Sequence, residues 1–168
     1  MQPTMYTMSV PIFKRMLSNL SAVLDKAVAH IEARKIEPAA LLTYRLYPDM
    51  LPFTKQIQIA CDMAKGCAAR LGGIEAPKYD DNEASFADLQ ARIQKTIAFI
   101  DSVDRQSIEA SAEKEVNFPT RGGTVQLSGH DYLTKNVFPN FYFHATVTYA
   151  ILRHNGVDLG KRDFIGPY

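Results

Sequence analysis

The sequence predicts an all-α protein: an up-and-down four-helix bundle with a small β-hairpin inserted before the last helix. Two observations predict it. Four stretches of roughly 20 residues carry apolar side chains at helical spacing, and one short stretch between the third and the fourth alternates apolar with polar residues instead. A length of 168 residues suits a single domain spanning 1–168 with a substantial core, and no segment repeats or is low in complexity.

The first helix follows Ser9 as N-cap, with Pro11 in the first turn, where a missing N–H costs nothing. Phe13, Met16, Leu17, Leu20, Leu24, Ala27 and Ile31 recur at helical spacing, Arg34 and Lys35 suit the last turn, and His30 caps or solvates that end. Pro38 and Pro48 punctuate the connection KIEPAALLTYRLYPDM, which has room for a short helical turn over Ala39 to Tyr44. Asp49 is placed to N-cap the second helix, with Pro52 in its first turn. Phe53, Ile57, Ala60, Ala64, Cys67, Ala68 and Leu71 form its buried face, and Gly72-Gly73 end it.

Ser85, followed three residues later by Asp88, resembles a capping box for the third helix. Its stripe is Phe86, Leu89, Ile93, Thr96, Ile97, Ile100 and Val103, and Asp88, Arg92, Lys95 and Asp101 are expected on the exposed remainder. EVNFPTRGGTVQLSG then alternates Val116, Phe118 and Val125, Leu127 around Gly122-Gly123, a hairpin over about 115–127. Ser128 and Asp131 start another helical stretch, which Pro139 kinks or restarts near Asn136. The tail 157–168 reads as irregular, lying on the bundle or against a second subunit.

Composition excludes several classes of function. Lys+Arg 19 against Asp+Glu 18 gives a net charge of +1, which predicts no nucleic-acid partner. No apolar run approaches the ~20 residues of a membrane span, and MQPTMYTMSVPIFKR lacks the basic and apolar regions of a signal peptide, so the expected location is cytoplasmic. Cys61 and Cys67 would point about 240° apart on a helix, which excludes pairing and makes both core residues. No Ser-His-Asp order, P-loop, G-x-G-x-x-G or C-x-x-C occurs.

The segment PNFYFHATVTYAILRHNG holds the candidate chemistry. With Asn140 at 0° and about 100° per residue, Phe143, Val147, Asn140, Ile151, His144 and His154 fall between about 300° and 40°, and Tyr142, Thr146, Tyr149 and Arg153 near 200°. This places Asn140 and His144 on the core-facing stripe, where either would need a partner. They are satisfied internally, or they line a pocket, since side chains at i and i+4 converge. Phe141, Thr148 and Leu152, near about 80° to 120°, form a second apolar strip that a homodimer would cover.

RLYPDMLPFTKQIQIACDMA, FPTRGGTVQLSGHDYL and PNFYFHATVTYAILRHNGVDLGKRDFIG together resemble a branch of the DinB/YfiT-like superfamily characterised only as a domain of unknown function, from Tyr6 to Gly166. The resemblance implies an often dimeric four-helix bundle whose better-known relatives hold nickel or zinc on three histidines, one on the second helix and an H-x-x-x-H pair on the last. Some of those relatives transfer small thiols. His144 matches the second member of the pair and Asn140 stands at the first, while no histidine occurs from Leu51 to Leu71. Asp49 and Gln56 are the polar substitutes near that face; His144, Asn140 and Asp49 would be the ligands of any surviving nickel, zinc or manganese site, and such an oxygen-rich set favours a harder ion.

Two functions follow as expectations. In an altered enzyme, His144 is the acid or base, Asn140 and Asp49 orient the substrate, Arg45 or Tyr142 supports the pocket with Gln56, and His130 faces its mouth. In a binding or structural module, a dimeric bundle holds a small molecule without turning it over.

Overall fold

A computed structural model describes residues 3–167, so the last residue of the tail, Tyr168, lies outside the described part. The elements are α1 (Val10–Arg34), α2 (Pro38–Leu42), α3 (Phe53–Gly72), α4 (Phe86–Ser102), α5 (Arg105–Glu109), β1 (Glu115–Thr120), β2 (Gly123–Ser128), α6 (Gly129–Asp131), a π-helical turn (Tyr132–Val137), α7 (Phe138–His154) and α8 (Lys161–Ile165). The protein is thus mostly helical with one two-stranded antiparallel sheet. No described helix is long and apolar enough to cross a membrane.

Helix α3 packs against both α4 and α7, α4 packs against α1, and α1 also touches α3, α7 and α8. Phe13, Leu17, Phe53, Ile57, Ile93 and Phe141, all fully buried, meet in their common core. Each such side chain contributes about 1.5–3 kcal/mol of hydrophobic burial, which is what holds the long helices together. The stripes expected on α1 and α3 are buried as read, and so are all but half-buried Ile97 on α4; Cys61 and Cys67 are free and buried.

Several local expectations change. Ser9 precedes α1, but its hydroxyl donates 2.6 Å to the Met5 carbonyl instead of capping. Asp49 caps nothing: α3 starts directly after Pro52, and Asp49 is exposed in the preceding loop. Ser85 does cap α4, accepting from the Asp88 N–H at 3.1 Å, and Ser128 does the same for Asp131. The hairpin has the expected pairing, Val116 opposite Leu127 and Phe118 opposite Val125. Only the β1 side chains are buried; Val125 is exposed.

Arg92 is 1% exposed rather than on the surface. The loop between α3 and α4 folds back over it, a long-range arrangement that helical periodicity does not encode. The tail is ordered as α8 against α1, where Asn19 Nδ2 donates to the carbonyls of Phe164 and Ile165 at 3.0 and 2.8 Å.

The last helix is rotated from its expected facing. Phe141, Ala145, Thr148 and Leu152 are buried, and so are Val147 and Ile151 of the expected stripe, whereas Asn140 and His154 are exposed and Phe143 is 54% exposed. The strip assigned to a dimer contact is therefore the core strip. Two apolar arcs adjoin on this helix, and packing puts the one containing Thr148 inside; its hydroxyl donates to the His144 carbonyl at 2.9 Å, so burying it leaves nothing unpaired. Phe141 adds an edge-on contact with Phe13 at 4.9 Å between centroids.

Pro139 neither breaks the helix nor separates two: α6, the π-helical turn and α7 follow without interruption. A proline ring clashes with the carbonyl four residues back and supplies no N–H. The wider π turn just before it relieves that demand.

Candidate functional site

His144 lies at the border of the buried face of α7, half-buried, opposite the first turns of α3. Its Nδ1 is 2.7 Å from Gln56 Oε1, and Gln56 Nε2 donates to the Leu51 carbonyl at 2.8 Å. The chain of bonds fixes the tautomer. A carbonyl only accepts, so the amide nitrogen of Gln56 faces Leu51 and its oxygen faces His144; that oxygen only accepts, so His144 Nδ1 carries the proton. Nε2 then holds the free lone pair, and no described residue bonds to it. Burial holds the imidazole below the 6.5 of an ordinary histidine, which keeps it neutral at pH 7.

The other expected site residues disperse. Asn140 Nδ2 turns back to the Asn136 carbonyl at 2.7 Å, bracing the junction of the π turn and α7. Arg45 donates to the Met50 carbonyl and so braces the loop that Gln56 grips from the other side. Asp49, in the same loop, has no hydrogen bond or ion pair with His144 or Asn140. Tyr142 lies on another face of α7, packed on Phe138 and Phe141 beside a cavity of about 370 Å³ lined by Arg15 and Phe164. His130 is exposed, 3.6 Å from Asp131. The structure therefore joins Gln56 with His144 and leaves the rest apart.

A three-histidine metal centre does not fit these residues. His144 is the one imidazole on the face that α7 turns to α3, His154 being exposed at the helix end; the Gln56 oxygen is already committed to His144, and the Asn140 amide bonds the Asn136 carbonyl one turn back. Among the described residues, no three His, Cys, Asp or Glu side chains gather closely enough to hold a metal ion.

Two features were missed in the sequence. A cavity of about 420 Å³ opens between α3, β1 and the π turn, lined by Met63, Arg70, Phe118, Tyr132, Asn136 and Asn140. Gln56, Met63 and Arg70 recur every seven residues and so share one face of α3, a spacing legible in the sequence. On the opposite side, buried Arg92 bonds Asp62 at 3.0 Å, Asp81 at 2.9 Å and Glu83 at 2.8 Å, and Tyr79 lies against Lys65 and Lys95 at 3.8 and 3.9 Å from its ring centroid.

Residues 5–165 match the family described as Domain of unknown function (DUF1993). Among solved structures, a DinB family member from Shewanella denitrificans is similar with a TM-score of 0.91 and 39% identity, over 97% of this chain and 92% of that one. No curated protein matches significantly. With the family match spanning nearly the whole chain, and that solved DinB family member alike in both sequence and fold, this protein belongs to the DUF1993 family and is DinB-like.

Proposed function

We propose that this chain is an altered DinB-type site on an up-and-down four-helix bundle, in which a small molecule binds in the groove between α3 and α7 and His144 Nε2 serves as proton acceptor toward it. One observation carries the reading: Gln56 bridges the Leu51 carbonyl and His144 Nδ1, which presents Nε2 as an unshared, neutral base. Burial supports it, because a histidine held below 6.5 is deprotonated and ready to accept at pH 7. The three-imidazole metal chemistry of the better-known relatives has no part in it, since the donor set here lacks two of the three imidazoles.

The test is a long-range nitrogen–proton NMR spectrum of the histidine-labelled chain across pH, with carbethoxylation by diethyl pyrocarbonate at pH 7 read by mass spectrometry. The expected result is an Nδ1–H tautomer, titration below pH 6.5 and modification of His144. A His144 that carries its proton on Nε2, or that stays unmodified while exposed His130 and His154 react, ends the base reading.

A second reading rests on a separate observation. Leu46, Tyr47, Leu51 and Phe143 are exposed on the loop and helix flanking His144, a run of large apolar side chains that a homodimer would cover. Sedimentation of the wild type against Phe143→Glu tests it: a dimer that the substitution dissociates supports the reading, and a wild-type monomer discards it.

A further inference from the structure

We infer that the cavity between α3, β1 and the π-helical turn is a binding site for a small carboxylate carried on an apolar body, with Arg70 and the Tyr132 hydroxyl as the carboxylate's donors. His144 is not among its lining residues, so the inference stands whether or not His144 acts as a base.

Arg70 is the cation in this cavity and has no ion-pair partner among the described residues. Its side-chain hydrogen bond goes to Tyr132, whose hydroxyl oxygen accepts from Arg70 Nη1 at 3.0 Å. Accepting that bond leaves the hydroxyl's own proton without an acceptor, on a residue that is 2% exposed. Burial pushes the Tyr132 hydroxyl up to about 12, so the proton stays on and remains available to donate. A guanidinium fork without a carboxylate and a buried O–H without a bonded acceptor among the described residues thus meet at one void, a combination that an oxyanion completes. The Asn136 side-chain amide, on the same wall, is also without a partner among the described residues.

A side-chain carbon at Gly66 would lie 2.6 Å from Arg70 Nη1, so the glycine leaves room for the guanidinium where it now lies, and a larger residue would move its flexible end aside. The neighbouring wall is the π turn, a rare helix form that occurs often at functional sites. Charge and lining choose the ligand class. One cation matches a monoanion better than a phosphate dianion, and Met63, Phe118 and Tyr132 offer apolar and aromatic surface to the rest of the molecule. A volume of about 420 Å³ falls in the ~300–1,000 Å³ range of small-molecule pockets.

Nitrogen–proton NMR titration of the full chain with benzoate, neutral benzamide and inorganic phosphate tests this. Benzoate is expected to saturate at about millimolar concentration and to shift Met63, Arg70 and Asn136, while benzamide and phosphate bind at least about tenfold more weakly. Arg70→Gln is expected to remove benzoate binding and Arg70→Lys to weaken it. The inference is overturned if wild type gives no saturable benzoate shifts there, if benzamide or phosphate binds as well as benzoate, or if folded Arg70→Gln still binds. The three-ligand comparison needs only wild type, so a variant that fails to fold leaves the test intact.

Discussion

Gln56 and Gln58 stand two residues apart on α3, both almost fully buried, and face opposite neighbours. Gln56 looks toward α7 and meets a neutral histidine and a carbonyl, with both ends of its amide bonded. Gln58 looks toward α4 and meets a crowd of charges: its nitrogen donates to Glu83 at 2.7 Å, while its oxygen and Arg92 Nε remain without partners. The α4 side spends its polarity on itself, with Arg92 bonded to three carboxylates and Lys55 bonded to Asp81 at 2.9 Å, and it clamps the 73–85 loop onto the helices. The α7 side keeps unshared groups, His144 Nε2 and the Tyr132 proton. Apart from the Gln58 oxygen and Arg92 Nε, the charged cluster is bonded to itself and reads as structure, and the sparse neutral one, with an unshared base and a spare O–H, reads as a site.

The largest effect that would break this contrast is expected on the charged side. Arg92→Met leaves the nearly buried Glu83 carboxylate, with Asp62 and Asp81, facing an apolar side chain; the expected loss is about 3–5 kcal/mol in urea unfolding. A loss under about 1 kcal/mol would put the cluster in the class of surface ion pairs. Acid should act in the same direction. Burial raises the Glu83 carboxyl, but its bonds from Arg92 and Gln58 outweigh burial and hold it below its usual 4.5; Lys55 and then Arg92 lower Asp81. These carboxylates contribute stability in full above about pH 4.5, and it drains away as pH falls through the unfolded and then the folded values. Glu83→Gln should flatten that acid slope in a pH series of urea midpoints.

The neutral side should respond more gently. Gln56→Leu strands the Leu51 carbonyl and His144 Nδ1, with an expected loss of about 1–3 kcal/mol and a mixed tautomer in the NMR spectrum. His144 is held below the unfolded 6.5, so its contribution is whole above pH 6.5 and declines as pH drops toward the folded value. His144→Ala should erase that component of the stability curve, and an unchanged curve would mean the imidazole is not desolvated. The smallest stability effect belongs to Gly66→Ala. The gain of about 1 kcal/mol in helix propensity is offset by the Arg70–Tyr132 hydrogen bond lost as the flexible end of Arg70 moves aside, so urea midpoints should barely change, yet benzoate binding should fall.

The long helices were legible because a period of 3.6 residues is written in single side chains: Phe13 to Ile31, Phe53 to Leu71 and Phe86 to Val103 were read at their positions. The facing of α7 was not, because two apolar arcs adjoin on it and only packing against α3 chooses between them. Arg92 escaped for a related reason: polarity at a helical position predicts exposure unless a distant loop brings carboxylates to it. The candidate site was half legible. His144 and Gln56 stand out in the sequence and are bonded, but Asn140 bonds the Asn136 carbonyl, and nothing in the sequence marks Arg70, since its void exists only once β1 folds beside α3.

The π turn has a genealogical reading. A single inserted residue is enough to turn a stretch of α-helix into a π segment, and removing one residue between Tyr132 and Val137 would let the helix run on as regular α. Everything before the deletion would then swing by about 100° around the helix axis while His144 stayed in place. Tyr132 would leave the cavity with Arg70 still in it. A one-residue gap at this point in a relative would therefore separate chains that share the His144 pair but differ in the cavity beside it, and length alone would tell them apart.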